Sequence, residues 1–317
     1  MNEMLPDPEI DLSGLPVEAW QQGIDAIGEE HGYYERLGSD HAALFIDAGP
    51  RLLVSFETRD AIRRNPRGLP RGFEMLQRTG WSLLVLICDN EGWFRAPRVW
   101  NYVDRLIDEG FFEDFERVLF YGHHATGYAA AAFSVASPGA RVLALRPIAT
   151  LDPEVAGWDR RHLAARRLDF TSRYGYAPDM IDAAERVTVI HDPRHAADAV
   201  HAALFRRPNV TTLRAAHAGA RLEQILDQAG LIPELLELAM EDRLDRAAFA
   251  RLWRARRENA LYLRGLLRQL ESADRPARLA RLCRHGLATP EAAHYARRLE
   301  ALPGSAPRAT GPVSRAS

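Results

Sequence analysis

Two adjacent histidines, His123 and His124, stand in the stretch YGHHATGYAAAAF, which runs from Tyr121 to Phe133. A strand-like run, RVLF, leads into it, and the alanines behind it read as a helix. An imidazole at such a turn can act as a general base, as a nucleophile in phosphoryl transfer, or as a metal ligand. Composition narrows the rest of the chemistry. All 41 Lys+Arg residues are Arg. No lysine is present to form a Schiff base or to reach a nucleotide phosphate from a P-loop. Cys88 ends the apolar run WSLLVLIC, and Cys283 lies in an Arg-rich stretch, so the 2 Cys form neither a disulfide framework nor a zinc motif.

The elements that must position these residues follow from hydrophobic patterning. With 317 residues, 47% of them hydrophobic, the chain can bury one large core or two smaller ones. A formal net charge of -2 gives the whole molecule no bias toward nucleic acid or membrane surfaces. The start, MNEMLPDPEIDL, lacks the basic and apolar regions of a signal peptide, and no apolar run approaches the roughly 20 residues that span a bilayer. The expectation is a soluble cytoplasmic protein with no nucleic-acid partner.

Residues 1–40 read as an acidic extension with one helix, VEAWQQGIDAIGEE. HAALFID and RLLVSFE, joined by Ala48-Gly49-Pro50, predict a hairpin. FEMLQRTG is a helix ending at Gly80, WSLLVLICD a strand buried on both faces, and PRVWNYVDRLIDEG a helix with proline at its start. RVLFYG, RVLALRP, RVTVIHD and NVTTLRAAH are strands alternating with the helices ATGYAAAAFSVAS and HAADAVHAALFRR, and LEQILDQAG closes the series. This alternation predicts an α/β domain over 41–230 with a doubly wound, mostly parallel sheet. The segment 152–184 has no strand pattern and reads as a lid or covering insertion, carrying Trp158, Arg160, Arg161, Tyr174 and Tyr176. Residues 231–302 read as a small all-helical region, and 303–317 have the composition of a disordered tail.

This order of elements resembles the α/β-hydrolases, from about Leu52 to Leu226. It is similar in particular to alphaproteobacterial hydrolase-like chains whose turn reads YG-x-S-M-G-G-YAAAAF. Tyr121, Gly122, Gly127 and the YAAAAF that follows match, while His124 stands at the serine, Ala125 at the methionine and Thr126 at the first glycine of the pair. The resemblance implies a nucleophile elbow with His124 at the nucleophile position and Gly122 as the small residue before it. It implies Asp192 as the triad acid, with Asp198 the second choice, and His217 as the base. It implies oxyanion N–H groups from Ala125 and from the loop Phe56-Glu57-Thr58. Thr126, β-branched where the turn takes glycine, is expected to fit poorly. Chains of this group are often labelled phosphoadenosine phosphosulfate reductase. The Ser-Gly-Gly pyrophosphate loop and Glu-Cys-Gly cysteine of those reductases are missing here, and Cys283 in LCRHG reads as a packed residue.

A histidine cannot form the ordinary acyl-serine intermediate. Three readings follow. One is a pseudo-hydrolase that keeps the pocket and binds a small molecule at the sheet edge. The second is an ester or thioester hydrolase with a non-standard mechanism using His217 and Asp192. The third is a metal site of His124, His217 and Asp192, with His191 and His195 nearby. No cofactor is implied. Arg146, just after RVLAL, is placed to meet a carboxylate or phosphate, or else an acid such as Asp152. Trp81 and Trp93 read as core or lid aromatics, and Trp253 as a helix-packing residue. Between Arg251 and Glu300, twelve Arg face five acids, so the helical region is a solvated basic face or the site of an anionic or protein partner.

Overall fold

A computed structural model describes residues 5–89 and 91–302. The predicted tail from 303 onward lies outside the described residues. The chain forms two compact units, Met1–Leu252 and Trp253–Ser317.

The first unit is built on one eight-stranded sheet. Its strands are β1 (Gly32–Arg36), β2 (His41–Ile46), β3 (Arg51–Thr58), β4 (Ser82–Cys88), β5 (Arg117–His123), β6 (Arg141–Leu145), β7 (Arg186–His191) and β8 (Val210–Arg214). Their order is β1-β2-β4-β3-β5-β6-β7-β8. β2 runs antiparallel to β1 and β4, and all other neighbours are parallel. Seven consecutive buried positions in β4 match its unbroken apolar run, as a strand covered on both faces requires.

Helices join and cover the strands: α1 (Val17–His31), α2 (Arg59–Arg64), α3 (Gly72–Thr79), α4 (Pro97–Asp108), α5 (His124–Phe133), α6 (Pro153–Ala156), α7 (Ala177–Met180), α8 (Ala196–Leu204), α9 (Leu222–Gln228), α10 (Ile232–Met240) and α11 (Arg246–Leu252). Gly80 ends α3 in a left-handed conformation, as a helix C-terminal glycine does. The insertion 152–184 holds only short helices and turns.

The structure departs from the sequence reading in three places. β2 and β3 do not form a hairpin; β4 lies between them. β2 is buried throughout and β3 over Leu52, Leu53, Val54, Ser55 and Phe56, which suits central strands rather than an alternating hairpin. The connection crosses the start of β4, where Ser82 Oγ accepts the N–H groups of Ala48 (2.9 Å) and Gly49 (3.0 Å). Only glycine fits there, because a Cβ on Gly49 would lie 2.4 Å from the Gly80 carbonyl oxygen. Residues 1–40 are not a separate extension either. β1 pairs with β2 from Gly32↔Ile46 to Arg36↔Ala42, and Trp20 Nε1 donates to the Gly68 carbonyl at 2.7 Å. Finally, α10 and α11 belong to the first unit, although a helical region was expected from 231. Arg141 donates to the Met240 carbonyl, and Glu241 pairs with Arg51 and Arg117, so the chain past α10 is tied to β3, β5 and β6.

The described part of the second unit contains α12 (Ala260–Ser272), α13 (Pro276–Gly286) and α14 (Ala292–Glu300). Asn259 caps α12 by accepting the Tyr262 N–H at 2.9 Å. Tyr262, Leu263, Leu267, Leu279, Leu282, Cys283 and Tyr295 are buried, so Cys283 is the packed residue its setting suggested. Among the described residues no helix is long and apolar enough to cross a membrane.

Candidate functional site

The turn between β5 and α5 carries the site. His124 takes φ +55°, a left-handed conformation that costs a non-glycine residue about 1–3 kcal/mol. Gly122 makes it sterically feasible, since a Cβ there would lie 2.1 Å from the Thr126 carbonyl oxygen. Thr126 fits better than its branching suggested. Its Oγ1 accepts the His123 N–H at 2.9 Å and donates to the His123 carbonyl at 3.0 Å. Its methyl group is accommodated by Gly92, where a Cβ would come within 3.0 Å of Thr126 Cγ2.

His124 Nε2 lies 2.9 Å from Nε2 of His162, a residue of the insertion, so one ring donates and the other accepts. Trp93, buried, stands edge-on to His162 and near His124, with ring centroids at 5.2 and 6.4 Å. Burial, with Arg146 and His162 adding to it, pushes the His124 imidazole down to about 3. Its ring is therefore neutral at physiological pH. Among the described residues its buried Nδ1 has no hydrogen-bond partner.

A cavity of about 180 Å³ opens beside the turn. Its walls bring together four of the expected site residues, Glu57, Thr58, His124 and Ala125. Thr58 Oγ1 caps α2 through the Ala61 N–H at 3.2 Å. Glu57 accepts the Arg71 N–H at 3.1 and 3.2 Å and the Ser55 hydroxyl at 3.1 Å, yet desolvation still raises its carboxyl above the usual range. None of Asp192, Asp198, Arg146 and His217 lines this cavity.

Asp192 follows β7 and His217 follows β8. Asp192 Oδ1 accepts the Arg194 N–H at 2.9 Å and Oδ2 the Gly219 N–H at 2.8 Å. It thus ties the end of β7 to the loop bearing His217, which is half-buried with φ +68°. Asp198 is engaged elsewhere. It accepts Arg146 Nε at 2.6 Å and Arg161 Nη1 at 2.7 Å, so Arg146 pairs with Asp198, while Asp152 caps α6.

The sequence reading missed the other half of this arrangement. Asp159 chelates Arg161, through Nε at 2.9 Å and Nη2 at 2.7 Å, and meets His201 Nε2 at 3.0 Å. His201 Nδ1 accepts the Ala149 N–H at 3.2 Å, so the imidazole proton sits on Nε2 and is donated to Asp159. On the cavity side, His123 Nε2 lies 2.9 Å from Glu223. Burial opposes the charge on Glu223, but His123, Arg71 and Arg146 outweigh it and hold the carboxyl below its ordinary range. The run WDRRH in the insertion held the only sequence signal for His162 and Asp159. Among the described residues no group of three or more His, Cys, Asp or Glu side chains is placed to hold a metal ion.

The strand order, the parallel core and the left-handed residue between β5 and α5 define an α/β-hydrolase type of fold. No protein-family model matches the chain, and no curated protein matches it. Among solved structures, carboxyl esterase 2 (TmelEST2) from the mycorrhizal fungus Tuber melanosporum is 12% identical with a TM-score of 0.42, over 66% of this chain and 82% of that one. Est1E from Butyrivibrio proteoclasticus is 12% identical with a TM-score of 0.40, over 67% and 98%. Brefeldin A esterase, a bacterial homologue of human hormone-sensitive lipase, is 14% identical with a TM-score of 0.40, over 69% and 75%. Likenesses this distant say nothing about activity.

Proposed function

We propose that this chain is a degenerate serine-hydrolase-fold protein, with His124 at the nucleophile position, that binds a small molecule at the sheet edge without forming an acyl-enzyme. The observation that carries this reading is the state of His124. Its imidazole is neutral, is engaged by His162 at 2.9 Å, and has its pKa pushed down to about 3, which makes it a weak base toward water. An imidazole there also offers no hydroxyl for the ordinary acyl intermediate.

A second reading, an ester or thioester hydrolase using Asp192 and His217, draws support from the bond between Asp192 and Gly219, which holds the His217 loop against the end of β7. Under the main reading the chain stands beside the alphaproteobacterial hydrolase-like chains with its serine lost, and outside reductase chemistry. The same proposal keeps the protein in the cytoplasm, without a cofactor or a nucleic-acid partner. It gives the basic helical region an anionic or protein partner.

The test is hydrolysis of a p-nitrophenyl ester panel by wild type and by His124→Ser combined with Thr126→Gly. Turnover by the double variant alone is expected. Turnover by wild type that disappears in His124→Ala would overturn the non-catalytic reading.

A further inference from the structure

Three arginines from two elements gather around a cavity at the β1 edge of the sheet. Arg36 ends β1, while Arg98 and Arg105 come from α4. The space measures about 300 Å³, at the small end of the roughly 300–1,000 Å³ that small-molecule sites occupy. Leu37 and Tyr102, both buried, close it from behind. The Tyr102 hydroxyl is already engaged, 2.8 Å from that of Tyr33.

The charges do not balance. Glu35 is the one acid among the described lining residues, and it is taken by Arg105, which also lies over the Tyr102 ring at 5.3 Å from its centroid. Arg36 and Arg98 are left over. Among the described residues their side chains form no ion pair, and the Asn101 amide between Arg98 and Arg105 forms no side-chain hydrogen bond; all three residues are exposed, so their polar groups are open to solvent and to a ligand. A lone arginine at the end of an edge strand could serve only to guard that edge. Arg98 does not fit that role, because it arrives from a helix. The turn after β1, closed by the Leu37 N–H donating to the His41 carbonyl at 2.8 Å, makes room for it at Gly38. Gly38 takes φ +87°, and a Cβ there would lie 2.8 Å from Arg98 Cδ. The stem of Arg98 therefore lies across the glycine, beside Leu37 and the cavity. Two surplus guanidiniums at one cavity repel each other until an anion joins them, and their planar forks match phosphate oxygens. A phosphomonoester, with its second pKa near about 6, carries close to two negative charges at neutral pH and cancels the surplus.

We infer that the cavity between the β1–β2 turn and α4 binds a small phosphomonoester, its dianionic phosphate held by Arg36 and Arg98. This site shares no residue with the cavity beside His124 and is independent of what His124 does.

The experiment is ligand-observed NMR on the full chain with phenyl phosphate and phenyl sulfate, in about 0.15 M salt at about pH 7.5, where the two differ by one charge on the same ring. Phenyl phosphate should saturate with a Kd below about 5 mM, and phenyl sulfate should bind at least about fivefold more weakly. Arg36→Gln and Arg98→Gln, both exposed and so expected to fold, should each weaken phenyl phosphate about fivefold or more. Arg64→Gln, on the cavity beside His124, should change nothing. Four results would each overturn the inference: no saturation of phenyl phosphate in that range, equal binding of the sulfate, either site variant binding as tightly as wild type, or a loss in Arg64→Gln that matches theirs.

Discussion

His124 has two differently built sides. Toward the insertion lies a chain of paired groups: Arg146 with Asp198, Asp198 with Arg161, Arg161 with Asp159, and Asp159 with His201. Toward the cavity, the Tyr121 hydroxyl is buried and unpartnered among the described residues. Buried charges are tolerated only when paired, so the first side acts as a clamp that fixes the insertion over the sheet edge. The second side is less completely satisfied, since a buried hydroxyl without a partner is costly. His124 sits on the boundary, with Nε2 meeting His162 and a buried Nδ1 that has no partner among the described residues.

Breaking the clamp should give the largest effect. Asp198 is fully buried, and Asp198→Ala leaves Arg146 and Arg161 facing each other without their shared counter-ion. A loss of about 3–5 kcal/mol in urea unfolding is expected, and a loss below about 1 kcal/mol would show that the clamp is not under load.

The boundary itself can be read by pH. His124 is pushed from 6.5 to about 3 in the folded chain. Between those values the unfolded chain binds the proton and the folded chain does not. Its contribution to stability is therefore complete above about pH 6.5 and falls as pH drops toward 3. His162 and His201 shift in the same direction, so wild type should lose stability over this window and His124→Gln should lose less. Parallel pH profiles for the two proteins would mean that His124 is not held neutral by its surroundings.

The smallest effect concerns the turn. Thr126→Gly removes both Oγ1 bonds to His123 and adds glycine to the first turn of α5, for an expected loss of about 1–2 kcal/mol. A gain in stability would restore the idea that threonine strains the turn.

Much of this molecule was legible in its sequence because the central strands are largely apolar runs, unbroken in β4, that alternate with helices. The edge was harder. β1, GYYER, is half-exposed and polar, and nothing local marks it as a strand. The hairpin reading of β2 and β3 failed because sequence adjacency does not reveal that β4 slips between them. In the site, the turn residues announced themselves by their order, Gly122 then His124. His162 and His201 did not, because each meets its partner across 38 or 42 residues of chain, and no period or spacing encodes that meeting. Arg146 was expected to meet a ligand anion or Asp152, but its counter-ion, Asp198, comes from a helix 52 residues later.

The close approach at Gly122 has a consequence for which substitutions the chain can accept. A side chain there would collide with the Thr126 carbonyl oxygen, whereas the side chain at 124 points out of the turn and meets mostly other side chains. In a saturation library scored only for folding, position 122 should return glycine alone, and position 124 should return many residues. The shape of the turn is written at one position and its chemistry at another, so a chain can change what it does there while inheriting the same bend.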